Sequence, residues 1–323
     1  MSKYFVNVFT EYKSFEISNQ YIKETILKTS SNQLDFVIVD NTLDNDNFEK
    51  LSCYYTRDHQ TLSFEGKEIR RVELSFEERH TTVFYVKNDQ NTGYGKGANL
   101  AMNIAIQFLN PEYIIISNND MICMDDKIDL NKVVSVFDDN PQVGLVGVNI
   151  QNLDGSMQSP YRNVSLTDRW ILPEIFFPLS RKFRKRKASD LIENPESGIV
   201  YRVRGSFMIL KPEAFIKSGG FDENIFLYAE EPILAERLAR QGYYVYHLND
   251  IHMLHNHVMD NKTLTSNELK KIKQRFLSEL YYYENYKNVS KLQIRLAKIL
   301  FPQYYWRCKI FKKIKAYRDS KQN

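Results

Sequence analysis

Acidic and amide side chains recur at the ends of short apolar runs in this chain. Asp40 and Asn41 follow residues 36–39 (FVIV), and Asn118, Asn119 and Asp120 follow the run at 113–116 (YIII). Asp222 and Glu223 lead towards the paired Glu230 and Glu231. In open α/β sheets ligands bind at the carboxyl ends of strands, where several loops converge. Carboxylates placed there can hydrogen-bond a base or ribose, or hold a divalent cation against a diphosphate. For each cluster taken alone, the plainer reading is that Asp and Asn favour turns. Glu230 and Glu231 stand just before Pro232, a residue suited to the first turn of a helix. The helix dipole there favours the ionised carboxylate, and a fixed carboxylate facing a cleft can act as a general base. A solvated, acid-rich helix start is the alternative. Residues 91–99 (NTGYGKGAN) alternate Gly93, Gly95 and Gly97 before a helical stretch. Such a loop lets backbone approach a ligand closely, with helix amides nearby for an anion. Its spacing is not that of a dinucleotide fingerprint, and a hairpin-like turn would serve equally well.

These residues need elements to position them. Alternating strand and helix patterns in the first ~120 residues favour an α/β sheet. Strands are expected at 4–9, 36–39, 113–116, 143–150 and 243–247, with regular structure resuming at 203–210. Residues 61–86 read as a hairpin or a small extra strand pair. Helices are expected at 17–29, 97–108 and near 231–241. From about residue 263 the chain reads as helices, with Leu269, Ile272, Phe276, Leu280 and Tyr283 on one stripe. One catalytic-type domain over residues 1–260, with a helical, basic extension over 261–323, is the most economical division.

The ordered set is more specific than any of its parts. Asp40-Asn41 with Asp44, the 91–99 loop, Asn118-Asn119-Asp120, Asp154-Gly155, Gly205, and Gly219 to Glu223 through Glu230-Glu231 and Arg237 occur in one order. That order resembles bacterial family 2 glycosyltransferases, especially the rhamnosyltransferase-like branch, over roughly residues 3–257. The resemblance implies a GT-A fold (Rossmann-like, a mostly parallel central sheet flanked by helices) and an inverting transfer from a nucleotide-sugar. By the same resemblance Asp40 would contact the nucleobase, with Asn41 beside it and Asp44 shaping the pocket. Asn91, Gly93, Gly95, Gly97 and Asn99 would form the nucleotide-facing loop. Asn118, Asn119 and Asp120 match a D-x-D-like motif, with Asp120 its metal-binding acid. Glu231 matches the catalytic base, with Glu230 beside it, and His255 would lie near the diphosphate or the metal, Mn or Mg. Asn118 and Glu231 each replace a commoner Asp. His247, His252, His255 and His257 cluster in sequence, but no Cys or Glu lies nearby to complete a zinc set.

Charge adds a second theme. The formal net charge is +4, yet residues 181–187 (RKFRKRK) carry six positive charges and residues 291–323 a net of +9. The remainder is therefore at −11: an acidic body with two basic appendages. Leu292, Leu296, Ile299 and Leu300 form one apolar stripe; after an interruption at Pro302, Trp306, Ile310, Ile314 and Tyr317 form another, both flanked by Lys and Arg. Trp170, Phe176 and Phe177 precede the first basic run. Basic amphipathic helices with aromatic residues suit an anionic membrane surface, and a transferase acting on a lipid-linked acceptor needs its cleft near the bilayer. The same helices could serve a homodimer. The acidic body disfavours nucleic acid. No run of ~18 apolar residues is present, so no transmembrane helix is expected. The N-terminus lacks a signal-peptide pattern, and three widely spaced cysteines fit a reducing compartment. The expectation is a transferase on the cytoplasmic face of a bacterial membrane, building capsule or O-antigen. It would use a UDP- or dTDP-linked donor and a polyprenyl-diphosphate-linked glycan acceptor. The alternatives are a nucleotidyltransferase, whose early Gly-rich basic loop is missing, and a nucleotide-sugar-binding scaffold without turnover.

Overall fold

The computed structural model describes residues 3–30, 33–176, 190–256 and 266–319. The chain forms two compact units. The first comprises Met1–Tyr161, Glu193–Phe226 and Glu230–His257, and the second Arg162–Ile192, Leu227–Ala229 and Val258–Asn323.

The first unit is built on one sheet. Strands β1 (Tyr4–Glu11), β2 (Gln33–Asp40) and β6 (Tyr113–Ser117) are mostly apolar and almost wholly buried because both faces of the sheet are covered; Asn7 and Asp35 are buried polar exceptions. Alternate residues of β1 serve opposite layers. Phe5 and Phe9 face α1 (Phe15–Lys28) through Tyr21, Ile22 and Ile26. Val6 and Val8 face α3 (Gly93–Ile104) through Ala98, Ala101 and Met102. β1 pairs parallel with β2 and β6, and β2 pairs parallel with β5 (Arg79–Lys87). Registers of Glu11 with Asp40 and Asp40 with Lys87 align the carboxyl ends of this parallel run. β10 (Phe207–Leu210) runs antiparallel to β6, with Phe207 opposite Ser117, so the chain enters β10 at that same edge.

Beyond β10 lie β8 (Val143–Asn152) and β11 (Tyr244–His255), which pair parallel. β7 (Met121–Cys123) and β9 (Gly198–Val200) both run antiparallel to β11. Two findings refine the sequence expectations. Residues 60–87 form two successive hairpins, β3 (Gln60–Phe64) with β4 (Lys67–Phe76) and β4 with β5 as expected, and β5 also pairs with β2 in the parallel core, where Val83 to Val86 are buried. β11 runs on to His255, well past the expected 247. The remaining helices are α2 (Asn45–Ser52), α4 (Leu130–Asp139), α6 (Pro212–Ser218) and α7 (Glu230–Arg240).

The second unit is described through residues 162–176, 190–192 and 227–229 and helices α8 (Ser266–Tyr286) and α9 (Lys291–Asp319). A wide turn at Thr167–Ile171 leads into the short helix α5 (Leu172–Ile175). Trp170, expected with the surface aromatics, is instead buried: it meets Phe276 edge-on at 4.9 Å and Tyr304 at 5.2 Å. Its indole N–H donates to Glu279 at 2.7 Å, which also takes a two-pronged bond from Arg169. Pro302 does not interrupt the helix. Losing one backbone N–H is offset by packing on both sides, since Phe301 stacks on Phe276 at 3.8 Å. Ile294 and Ala297 are buried, whereas Leu292, Ile299 and Trp306 are 66%, 71% and 58% exposed. Of the predicted stripes, Leu292, Leu296, Ile299, Trp306 and Ile310 face outward and Leu300 is half-buried, while the side chains of Ile314 and Tyr317 lie outside the described residues. The basic run at 181–187, Phe177 and His257 lie outside the described residues. Among the described residues no helix is long and apolar enough to cross a membrane.

Candidate active site

At the carboxyl edge of the parallel run, three chain segments meet around Asn41. Its side-chain amide donates to the carbonyl of Gly93 at 3.1 Å, and its oxygen accepts from Asn88 at 2.9 Å. Asp40 is wholly buried and accepts from the Thr42 N–H at 2.8 Å and from Asn47 at 3.0 Å. Burial pushes its carboxyl above the usual carboxylate value, against the lowering effect of those bonds. Asp40 therefore braces the turn that presents the exposed Asp44, which caps α2 by accepting from the Asp46 N–H at 3.0 Å.

The glycine-rich stretch is the first turn of α3 rather than a loop before it. A side chain at Gly93, where φ is +81°, would stand 2.2 Å from the carbonyl oxygen of Phe226. One at Gly97 would stand 2.5 Å from Thr10. These approaches account for the glycines by packing. Asn91 accepts from the Gly93 N–H at 3.0 Å. Asn99 grips the turn at Phe221 from both sides, accepting from its N–H at 2.9 Å and donating to its carbonyl at 3.0 Å.

Asp120 and His255 are joined by strand register. β7 pairs antiparallel with β11 so that Met121 lies opposite His255. The Nε2 of His255 stands 3.1 Å from Asp120 Oδ1 and 3.5 Å from the Asn118 amide. On the far side of the ring, Nδ1 meets Gln158 Oε1 at 3.0 Å, and the Gln158 amide donates in turn to Asn152. That chain assigns the carbonyl of Gln158 to the ring, so Nδ1 donates there and Nε2 is the nitrogen that faces Asp120. A ring nitrogen and a carboxylate oxygen 3.1 Å apart are close enough to share one ligand. An imidazole and a carboxylate are also donors that Mn²⁺ or Mg²⁺ accepts alongside diphosphate oxygens. The pair thus fits a shared metal, although no group of three or more His, Cys, Asp or Glu converges among the described residues. Asn119 turns the other way, donating to Ser14 and Ser18 at 2.8 Å each.

Glu231 sits in the first turn of α7 behind two non-glycine residues with left-handed backbone, Tyr228 (φ +71°) and Ala229 (φ +67°). Consecutive strained residues fix where the helix begins and hence where its first carboxylates point. Glu231 Oε1 accepts from the Gly205 N–H at 3.1 Å and lies 3.8 Å from Arg204 Nη1. Burial alone would raise its carboxyl; Arg204, then Arg202, and the Gly205 N–H outweigh it and hold the group below the ordinary value. Glu230 beside it is buried.

Gly205 and Ser206 join the clusters. The Gly205 N–H holds Glu231, its carbonyl accepts from Tyr94 of α3 at 2.8 Å, and the Ser206 carbonyl accepts from the Asn118 N–H at 2.9 Å. A side chain at Gly205 would lie 3.2 Å from Glu231 Cγ. Three sequence-distant clusters are so brought to one place, whereas Asp40, Asn99 and Asn119 are committed to internal turns.

Glu11, Gln158, Arg204 and Tyr94 escape the sequence reading. Glu11 is wholly buried at the end of β1 and accepts from the hydroxyls of Ser14 at 2.6 Å and Ser18 at 3.0 Å. Its position at a strand's carboxyl end was the available signal. Nothing local marks Gln158, which acts on a histidine 97 residues away.

No protein-family profile matches the chain. It is 23% identical over 188 residues to an N-acetylglucosaminyl-diphospho-decaprenol L-rhamnosyltransferase of Mycobacterium tuberculosis, found in strains CDC 1551 and H37Rv. That match covers 55% of this chain and 60% of the relative, so the chain spans less than two thirds of the curated relatives it matches. Among solved structures, GalNAc-T7 with UDP, GalNAc and Mn²⁺ superimposes with a TM-score of 0.57 at 11% identity, covering 89% of this chain and 49% of that one. The fold is GT-A, with helices at the C-terminal end, as the ordered motifs implied.

Proposed function

Starting from a GT-A protein whose motifs and relatives are those of family 2 glycosyltransferases, we propose that the chain transfers a sugar, with inversion, from a nucleotide-sugar to a polyprenyl-diphosphate-linked glycan. The observation that carries this reading is the Gly205-Ser206 junction, which sets the Glu231 carboxylate beside the Asn118–Asp120 turn. Glu231 takes the proton of an acceptor hydroxyl, whose oxygen displaces the nucleoside diphosphate at the anomeric carbon. Asp120 and His255 would hold a divalent cation, Mn or Mg, which when bound supplies positive charge against the diphosphate. Asn41, Asp44, Asn91 and the start of α3 border the nucleotide, with Asp40 acting through the turn it braces. A UDP- or dTDP-linked donor is in keeping with the UDP held in the GalNAc-T7 structure and with the rhamnosyltransferase name of the mycobacterial relatives. The product would belong to a bacterial surface polysaccharide such as capsule or O-antigen.

The outward stripe of α9 extends the reading to location. Leu292, Leu296, Ile299, Trp306 and Ile310 are exposed on a helix that also carries Lys291, Arg295, Lys298 and Lys309. Apolar residues flanked by cations suit an anionic bilayer, here the inner face of the plasma membrane. Substituting Leu292, Ile299 and Trp306 together by Ser should abolish binding to anionic vesicles while the buried Ile294 and Ala297 face stays intact. Undiminished binding would remove the stripe from that role.

The central test is incubation with UDP- and dTDP-sugars, Mn²⁺ and a sugar-diphospho-polyprenol, reading nucleoside diphosphate release and the lengthened glycan. Glu231→Gln should lower turnover by about a thousandfold while nucleotide binding persists. Near-wild-type turnover would remove Glu231 from catalysis. Exchange of pyrophosphate into the donor would favour a nucleotidyltransferase, and neither reaction a scaffold.

A further inference from the structure

Beside the proposed base stand two half-buried arginines, Arg202 and Arg204. Arg202 and Arg204 flank Val203, which is buried where Gly147 leaves room for it; a side chain at Gly147 would stand 2.4 Å from Val203 Cβ. Arg202 lies over the ring of Tyr161 at 3.7 Å, and Tyr161 and Arg202 also exchange backbone hydrogen bonds. Arg204 reaches Glu231 at 3.8 Å, and its side chain is 37% exposed, so a ligand from solvent can reach it.

This pairing is an odd choice for a general base by itself. A guanidinium against a carboxylate lowers its proton affinity, and a base works best with a pKa near the operating pH. The groups facing Glu231 are Arg204, Arg202, the Gly205 N–H, Glu230 and Tyr94. Arg204 is the nearest of them that a ligand could draw away. In an inverting displacement the nucleophile and the leaving group stand on opposite sides of the anomeric carbon. A group bonded to the base is therefore on the acceptor's side, away from the donor diphosphate. Arginine is the side chain best shaped for two-pronged phosphate binding.

We propose that Arg204, with Arg202 braced on Tyr161, binds the phosphate or diphosphate carried by the acceptor sugar, and that this binding draws Arg204 off Glu231 and frees the base. The inference rests on the transferase reading above and names the acceptor class for that site: a sugar joined directly to a phosphate group. Before the acceptor arrives, the Arg204–Glu231 contact restrains the base and so limits transfer of the donor sugar to water.

The test compares two acceptors with the full-length protein: a sugar diphosphate on a short lipid chain, and the same sugar as a neutral alkyl glycoside. Wild type should prefer the diphosphate by at least a hundredfold in kcat/KM. Arg204→Gln should cut that preference below tenfold, mainly through acceptor KM, and Arg204→Lys should restore part of it. In Arg204→Gln the acid limb of the kcat/KM profile should also move to higher pH. A folding check by thermal melting accompanies each variant, and Arg202→Gln gives a milder second reading of the same site. Equal use of the two acceptors by wild type overturns the proposal while leaving the transferase reading intact. A rise confined to donor KM assigns the arginines to the donor diphosphate and overturns it too. No transfer by wild type to either acceptor overturns the reading itself and this inference with it.

Discussion

The short ladder between β7 and β11 carries an aspartate–histidine pair at each end, and the two pairs live in different surroundings. At one end Asp120 faces His255 at 3.1 Å; at the other Asp125 faces His252 at 3.0 Å. The side chains of the first pair are 19% and 10% exposed, those of the second 35% and 38%. His255 is held from behind by Gln158 and flanked by Asn118. His252 has its backbone N–H bonded to the same aspartate that meets its ring, so the pair closes a turn. The same two residue types, set by one antiparallel register, make a candidate metal clamp at one end and a surface clip at the other. Neighbours decide which, through burial and through an orienting bond on the second ring nitrogen.

The largest effect should come from breaking the first pair. Asp120→Asn removes the anionic donor and should lower Mn-dependent transfer by at least about a hundredfold, with melting temperature little changed. If the metal-dependence curve of the variant overlays that of wild type, the clamp reading fails. Gln158→Leu tests the orienting bond. With the ring no longer fixed, Mn²⁺ should bind about ten- to a hundredfold more weakly, read by thermal shift against metal concentration. An unchanged midpoint would mean that His255 needs no support from behind.

A third histidine on the same strand sharpens the contrast. His247 is fully buried, and neither ring nitrogen has a hydrogen-bond partner among the described residues. Burial lowers its pKa from 6.5 to about 4. The unfolded chain then binds more protons than the folded one between those values. Stability contributed at neutral pH is lost as the pH falls from 6.5 towards 4, by about 3 kcal/mol at most. His247→Leu should flatten the pH dependence of urea unfolding across that window. An identical slope in the variant would show that other groups set it.

How much of this was written in the sequence depends on the range of the interaction. Residues 36–39 and 113–116 announce central strands because two-faced burial leaves no polar residue in them, and Asp40 and Asp120 mark where they end. The pairing of Glu230-Glu231 with Pro232 marks the start of α7. Long-range register was not legible. The sequence presents His247, His252 and His255 as similar; the β7–β11 pairing gives His252 and His255 their aspartates and leaves His247 outside it. The glycines of α3 read as a ligand loop because the reason for them, the approach of Phe226 and Thr10, lies far along the chain. Arg204 was silent for the same cause: its meaning is the carboxylate that α7 brings to it.

The smallest effect should come from the second pair, which makes it the strictest test of the comparison. Asp125→Asn keeps an acceptor oxygen for the His252 N–H and removes only the charge. A half-exposed pair contributes about 1 kcal/mol or less, and salt screens part of that. Transfer rates should stay within about twofold of wild type, and the loss in melting temperature should shrink in high salt. Met124 and His252 remain joined by a backbone bond at 2.9 Å, and Lys28 still donates to the Cys123 carbonyl at 2.8 Å, so the turn keeps its other ties. A fall in activity as large as that of Asp120→Asn would mean that the ladder acts as one unit, carrying strain from the surface clip to His255 across the three residues of β7.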